Sequence, residues 1–343
     1  MQVLAALAPE LPLSQVGGYV RRVEELGFDG VHIAETIHDS LMVAALAVEH
    51  TTRLTIRTAV TLAFVRSPTL TAYSAWDLAH LSGGRFELGL GSQIKQNIED
   101  RFGMPWSEPQ ARMREYVEAV QALFAAFGSG GPVHYTGQSY RLTRLQPYFN
   151  PGPSDLPAPP IWLGAVNAGM CELAGRSARG VVTHSTNSDP DYLRDVVRPA
   201  LERGAAAAGR SQAPLLIVST AIATGHSDDE VDGEWERQRR MLAFLLSTPA
   251  YAGALRRRGR TSLPDRLRAL TRGQRWDELP GVLDDTVLAE LVVRGAYEQL
   301  PQLLWDRYGD IADGVVLPPA TGQGDESLAR CVRELRQGPR SVD

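Results

Sequence analysis

Residues 81–92 read Leu81-Ser82-Gly83-Gly84-Arg85-Phe86-Glu87-Leu88-Gly89-Leu90-Gly91-Ser92. The stretch predicts the end of a helix, a glycine turn, a short strand and a second glycine-rich turn. Gly83 and Gly84 can take the positive φ that a helix C-cap needs. Phe86 to Leu90 is apolar and short enough for a strand buried on both faces. Gly89 and Gly91 leave room at the strand exit, which suits close approach of a ligand to the backbone.

The same alternation extends outward in both directions. Strands are expected at Val3 to Leu7, Gly30 to Ala34, Leu54 to Leu62 and, beyond the quoted stretch, Ile161 to Ala165, Gly180 to Thr183, Leu215 to Ala223 and Gly314 to Leu317. Helices are expected between them, the clearest from Gln110 to Phe127, with Met113, Val117, Val120 and Phe124 on one stripe. Eight βα units imply a parallel sheet with helices outside and favour a closed (β/α)₈ TIM barrel over an open sheet. Two segments break the rhythm. Residues 128–160 are rich in Gly, Pro and Tyr, and residues 227–295 are polar and mostly helical. Both are expected as insertions over the C-terminal face of a single domain spanning 1–343, because long excursions are commonly functional.

Composition narrows the class. The 343 residues are 43% hydrophobic and 22% charged, with a net charge of −5, so no basic footprint points to nucleic acid. Two cysteines, Cys171 and Cys331, form neither a disulfide framework nor a metal spacing. With no leader-like N-terminus and no apolar run of membrane-spanning length, a cytoplasmic protein is expected. Lys95 is the only lysine beside many arginines, which points to a GC-rich, actinobacterial genome.

The string from Leu81 to Gly91 resembles the signature of the bacterial-luciferase-like family, which contains flavin-dependent monooxygenases and oxidoreductases using the deazaflavin coenzyme F420. The resemblance runs from about residue 1 to 337. Glu35-x-x-His38-Asp39, Phe64-x-Arg66-Ser67-Pro68 and Leu242 to Tyr251 are similar to the deazaflavin branch. It implies F420 as cofactor, with FMN as the alternative, a small-molecule substrate, a separate cofactor reductase and a homodimer. It implies no metal.

Five places could carry the chemistry. Glu35, His38 and Asp39 leave the second strand at the face where such barrels place catalytic groups. His38 suits proton transfer near neutral pH, with Glu35 orienting it. The plainer reading makes Asp39 a helix cap and His38 an exposed side chain. The resemblance places a bulge, often with a non-prolyl cis peptide, at Ala59, Val60 and Thr61, and makes Thr61 a polar contact to the cofactor ring. Gln93 and Asn97 follow the signature strand and could hydrogen-bond a ring or a ribityl-like chain. Ile94 stands where some deazaflavin members carry an acid. Val166, Asn167, Ala168 and Gly169 open a helix whose free N–H groups would attract an anion, and the resemblance puts the cofactor phosphate there. His184, at the end of the sixth strand, is placed for cofactor or substrate.

Overall fold

The computed structural model describes residues 1–320 and 324–338. The single-domain expectation over 1–343 therefore includes residues 321–323 and 339–343, which lie outside the described ones. Among the described residues thirteen strands occur in chain order: β1 Gln2–Ala6, β2 Gly30–Ile33, β3 Thr55–Thr58, β4 Thr61–Leu62, β5 Phe86–Gly91, β6 Tyr135–Thr136, β7 Arg141–Leu142, β8 Ile161–Gly164, β9 Gly180–Val182, β10 Leu215–Val218, β11 Ala221–Ala223, β12 Val292–Arg294 and β13 Gly314–Leu317. The main sheet runs β3-β2-β1-β13-β10-β9-β8-β5-β4, and β3 also pairs with β5, so the strand order returns on itself. This is the expected (β/α)₈ barrel topology, with β4 as a short continuation of β3.

Contacts group the chain into two compact units. The first holds Ala5–Val182 and Ala200–Leu215. Its strands pair in parallel, with Val31 opposite Ile56, Ile56 opposite Phe86, Leu88 opposite Ile161 and Leu163 opposite Val181. All seven of these side chains are buried. Near-continuous burial is what helices on the outside of a parallel sheet impose. The glycine turn forms as expected. Helix Pro68–Leu81 ends with Gly83 and Gly84 at φ +63° and +87°, their N–H groups on the carbonyls of His80 and Ala79. Arg85 donates to Thr51 Oγ1 and to the carbonyls of Leu54 and Thr51, each at 3.0 Å, and so ties down the loop that feeds β3. Within residues 128–160, β6 and β7 pair antiparallel, and Glu115 accepts the N–H groups of Gln138 and Ser139 at 3.0 and 2.6 Å.

The second unit holds Met1–Leu4, Thr183–Pro199 and the chain from Leu216 onward. Helices Asp228–Leu246, Leu263–Arg272 and Asp285–Leu291 pack a core of their own around Trp235, Leu242, Leu267 and Leu288. Against this core lies the parallel ladder of β11 and β12, with Ile222 opposite Val293. The expected single strand from Leu215 to Ala223 is thus two: it leaves the main sheet after Val218, and its second half pairs with β12. An apolar run shows that a strand is buried but not where it changes partner.

Candidate active site

The chain interrupts β3 after Thr58 and resumes at Thr61, and the Ala59–Val60 peptide is cis. This is where the resemblance placed a bulge. Ala59 N–H donates to the Ile33 carbonyl at 2.7 Å, and Glu35 N–H donates to the Val60 carbonyl at 3.3 Å. Ala59 and Val60 are half-buried, so the bulge is open at the carboxyl end of its strand. Its inner side rests on glycines. A Cβ on Gly91 would lie 2.3 Å from Val60 Cγ2, one on Gly164 2.9 Å from Val60 Cγ1, and one on Gly89 1.8 Å from the Thr58 carbonyl oxygen. The space left by Gly89 and Gly91 is therefore filled by the chain's own bulge, not kept for a ligand. The expectation of direct ligand approach at these glycines is corrected accordingly.

Glu35 braces the bulge from the other side. Its Oε2 accepts Leu62 N–H at 2.7 Å and Ser40 Oγ at 3.3 Å. Its Oε1 pairs with Arg66, whose Nη2 also reaches Asp39 at 3.1 Å. Burial raises the Glu35 carboxyl above its ordinary range, although Leu62 N–H and Arg66 pull the other way. Glu35 therefore does not orient His38, because both of its oxygens are engaged elsewhere. His38 is half-buried and has no hydrogen-bond partner among the described residues. Asp39 follows the plainer reading: it accepts the N–H groups of Leu41 and Met42 at 2.8 and 3.2 Å and caps helix Ser40–Glu49. Thr61 is fully buried, with its hydroxyl 2.8 Å from Ser40 Oγ. It supports the bulge from beneath and does not present a polar atom to a ring.

The remaining positions in this unit sit at the ends of β5 and β8. Gln93 holds φ +60° and turns its amide oxygen onto Ile94 N–H at 2.9 Å. Asn97 opens the wide turn Asn97–Arg101, half-buried, with no side-chain hydrogen bond among the described residues. At helix Ala168–Ser177, Asn167 caps by accepting Met170 N–H at 2.9 Å. Gln110 Nε2 donates to the Gly169 carbonyl at 3.0 Å. The N–H groups of Ala168 and Gly169 have no hydrogen-bond partner among the described residues, and Val166 stands half-buried before them. Deeper in the sheet, Arg57 of β3 pairs with Glu87 of β5 at 2.5 Å, touches His32 Nε2 of β2 at 3.0 Å and lies 3.6 Å from the Trp162 ring centre of β8. Burial first, and Arg57 second, hold His32 well below the usual histidine range, so this ring is a neutral core residue.

His184 belongs to the second unit. Its Nδ1 accepts Thr186 N–H at 3.4 Å and lies 2.9 Å from Thr186 Oγ1, which leaves the proton of the neutral ring on Nε2. The ring stacks on Tyr251 at 4.8 Å and 9°. Burial lowers its pKa from 6.5 to about 4. A depressed histidine makes the unfolded chain bind more protons between those two values, so stability rises with pH through that window. We expect His184→Gln to flatten the fall in stability between pH 6.5 and about 4, as read by urea unfolding at several pH values. An unchanged pH slope would show that His184 titrates normally.

The family model described as luciferase-like monooxygenase matches residues 2–312. The chain belongs to this family. An uncharacterized Mycobacterium tuberculosis protein is 35% identical over 316 residues, 92% of each chain. The 5,10-methylenetetrahydromethanopterin reductase of Archaeoglobus fulgidus is 29% identical over 244 residues, 70% of this chain and 68% of that one. The structure of the coenzyme F420 dependent tetrahydromethanopterin reductase from Methanopyrus kandleri superposes with a TM-score of 0.77, at 21% identity and 98% coverage of both chains. This luciferase-like protein is accordingly an oxidoreductase with a deazaflavin or flavin cofactor. Among its described residues no cluster of side chains could hold a metal ion, and no helix is long and apolar enough to cross a membrane.

Proposed function

We propose that this enzyme transfers a hydride between C5 of coenzyme F420 and a small organic substrate. The observation that carries the reading is the open bulge at Ala59–Val60, braced by Glu35, Ser40, Thr61 and Arg66 and bedded on Gly89, Gly91 and Gly164. A surface held by that many contacts is a rigid support for a planar ring, and preorganised support is what an enzyme contributes to cofactor chemistry. The other groups fit the same ligand. Asn97 offers an unused amide, and the start of helix Ala168–Ser177 offers two N–H groups to an anion. When bound, the deazaflavin supplies a hydride donor or acceptor at C5. On this reading the whole chain works as one luciferase-like domain, with residues 128–160 and 227–295 as its insertions.

His38 is the proposed proton carrier. A substrate that loses or gains a hydride must also lose or gain a proton at the neighbouring heteroatom or carbon. His38 leaves the same strand end as Glu35, and no hydrogen bond from the described residues ties up its ring. Likeness to a Mycobacterium tuberculosis protein named as a putative coenzyme F420-dependent oxidoreductase, 28% identical over 314 residues, supports the deazaflavin over FMN. The alternative is a monooxygenase using reduced FMN, as the family description allows. Titration of the purified protein with oxidised F420 and with oxidised FMN separates them. We expect F420 to bind at least about tenfold more tightly, a difference of about 1.4 kcal/mol. Tighter FMN binding, together with oxygen-dependent turnover on reduced FMN, would reverse the assignment.

A further inference from the structure

Residues 256–275 hold eight arginines against a single acid, Asp265, in a chain whose net charge is −5. Internal contacts account for half of these arginines. Arg260 pairs with Glu290 at 2.7 Å, Arg275 pairs with Glu278 at 2.5 Å, and Arg258 pairs with Asp189. Arg257 lies 3.7 Å from the ring centre of Tyr192. Arg256, Arg266, Arg268 and Arg272 are exposed and have no ion pair among the described residues. Three of these four belong to helix Leu263–Arg272, whose Leu263 and Leu267 point into the core of the second unit. Like charges at Arg268 and Arg272, one turn apart, work against the helix. The helix C-terminus favours Arg272, but no contact of the fold uses the charges of Arg266 and Arg268.

The turn Trp276–Glu278 packs on the same helix and adds an aromatic element to this face. Trp276 is 50% exposed, and its ring centre lies 6.3 Å from that of Phe244, itself 54% exposed on helix Asp228–Leu246. Arg240, one turn before Phe244, is exposed and has no ion pair among the described residues. Tryptophan and arginine are side chains that commonly anchor protein contacts. We propose that this face docks an acidic segment of a partner protein, with carboxylates on Arg268 and Arg272 and an apolar side chain on the Phe244–Trp276 pair. The spacing favours a run of negative charges over a small anion, because Arg266, Arg268 and Arg272 are spread along about 9 Å of helix axis. Three features select a polypeptide among polyanions. Asp265, Asp277 and Glu278 stand among the arginines, where a phosphate backbone would bring like charge and a polypeptide can set a neutral residue. The net charge of −5 works against nucleic acid. The leucines of helix Leu263–Arg272 are taken up by the core, so the face offers a bilayer two rings and no apolar stripe.

Fluorescence anisotropy of a labelled glutamate-rich peptide containing leucine, titrated with the full chain, tests the proposal. The dissociation constant should be on the order of 10 µM at low salt and rise at least about tenfold at about 0.3 M salt, since exposed charges are screened. Arg268→Gln with Arg272→Gln should weaken binding at least about tenfold at low salt, and Trp276→Ala at least about threefold at either salt concentration. Arg330→Gln with Arg333→Gln removes the same charge from helix Asp325–Gln337 of the same unit and should change affinity less than about twofold. All five side chains are exposed, so far-UV dichroism should stay native in each variant. No binding at about 0.2 mM chain and low salt overturns the proposal. Equal losses from the two arginine pairs, or an unchanged affinity in Trp276→Ala, reduce the face to bare charge attraction and overturn it as well. So does tighter binding of a single-stranded oligonucleotide of the same charge, or of vesicles rich in anionic lipid.

Discussion

Gly89→Ala is expected to destabilise the protein by roughly 3 kcal/mol or more, at the upper end of what over-packing costs. The added methyl would stand 1.8 Å from the Thr58 carbonyl oxygen. That atom is backbone, so no side-chain rotation relieves the clash. Nor is Thr58 free to withdraw. Its Oγ1 donates to the Gly89 carbonyl and accepts Gly89 N–H, each at 2.9 Å, and this exchange stitches β3 to β5 just where β3 breaks off. Moving either strand would also shift Ala59 and Val60 on the far side of the break. Thermal unfolding should show a drop of roughly 5–10 °C, allowing a few degrees per kcal/mol for a chain of this size. Gly18→Ala is the matched control. Gly18 lies in helix Val16–Glu25, and a Cβ there meets nothing within 4 Å. The same methyl should stabilise by about 0.4–1 kcal/mol through the unfolded state. If Gly89→Ala melts within a degree or two of wild type, the β3–β5 contact is looser than described and the glycine bed is not what fixes the bulge.

That contrast marks the limit of what the sequence could reveal. Strand, helix and glycine turn were legible around residues 81–92 because each depends on neighbours in the chain: an apolar run, a C-cap and a change of period. Why the second pair of glycines is there was not legible. Gly89 and Gly91 face Thr58 and Val60, some thirty residues earlier, and only the side-by-side pairing of parallel strands brings them together. The same holds for Glu35. The cluster Glu35-x-x-His38-Asp39 is visible in the sequence, and so is Arg66 before Ser67-Pro68. Which acids the arginine would take was decided by the fold, which gave it Glu35 and Asp39 and left His38 without a hydrogen-bond partner among the described residues. Thr61 shows the other side of the problem. A polar residue at a strand exit reads as a ligand contact, yet a break of two residues in the strand turned it inward onto Ser40. The helix start at Asn167 was easier, since an Asx cap is local and the free N–H groups follow from it.

His38→Ala is expected to lower kcat by roughly 10² to 10⁴-fold, the range that general acid–base groups contribute. The affinity for F420 should change much less. The distinction rests on the separate supports seen at the site. The bulge keeps its shape through Glu35, Ser40, Thr61 and Arg66, none of which bonds to His38. Removing the imidazole therefore leaves those supports untouched. Glu35→Gln should behave in the opposite way. It keeps the size of the side chain but discharges the partner of Arg66 and alters the acceptor for Leu62 N–H, so cofactor affinity should weaken first. Measured side by side at saturating cofactor, the two variants separate proton transfer from support of the ring. His184 is a poor substitute. Its pKa is pushed down to about 4 by burial, and it is neutral at the pH where turnover would be measured. If His38→Ala keeps more than about a third of the wild-type rate at saturation, the proton comes from the substrate or from solvent. His38 is then only part of the wall around the ring.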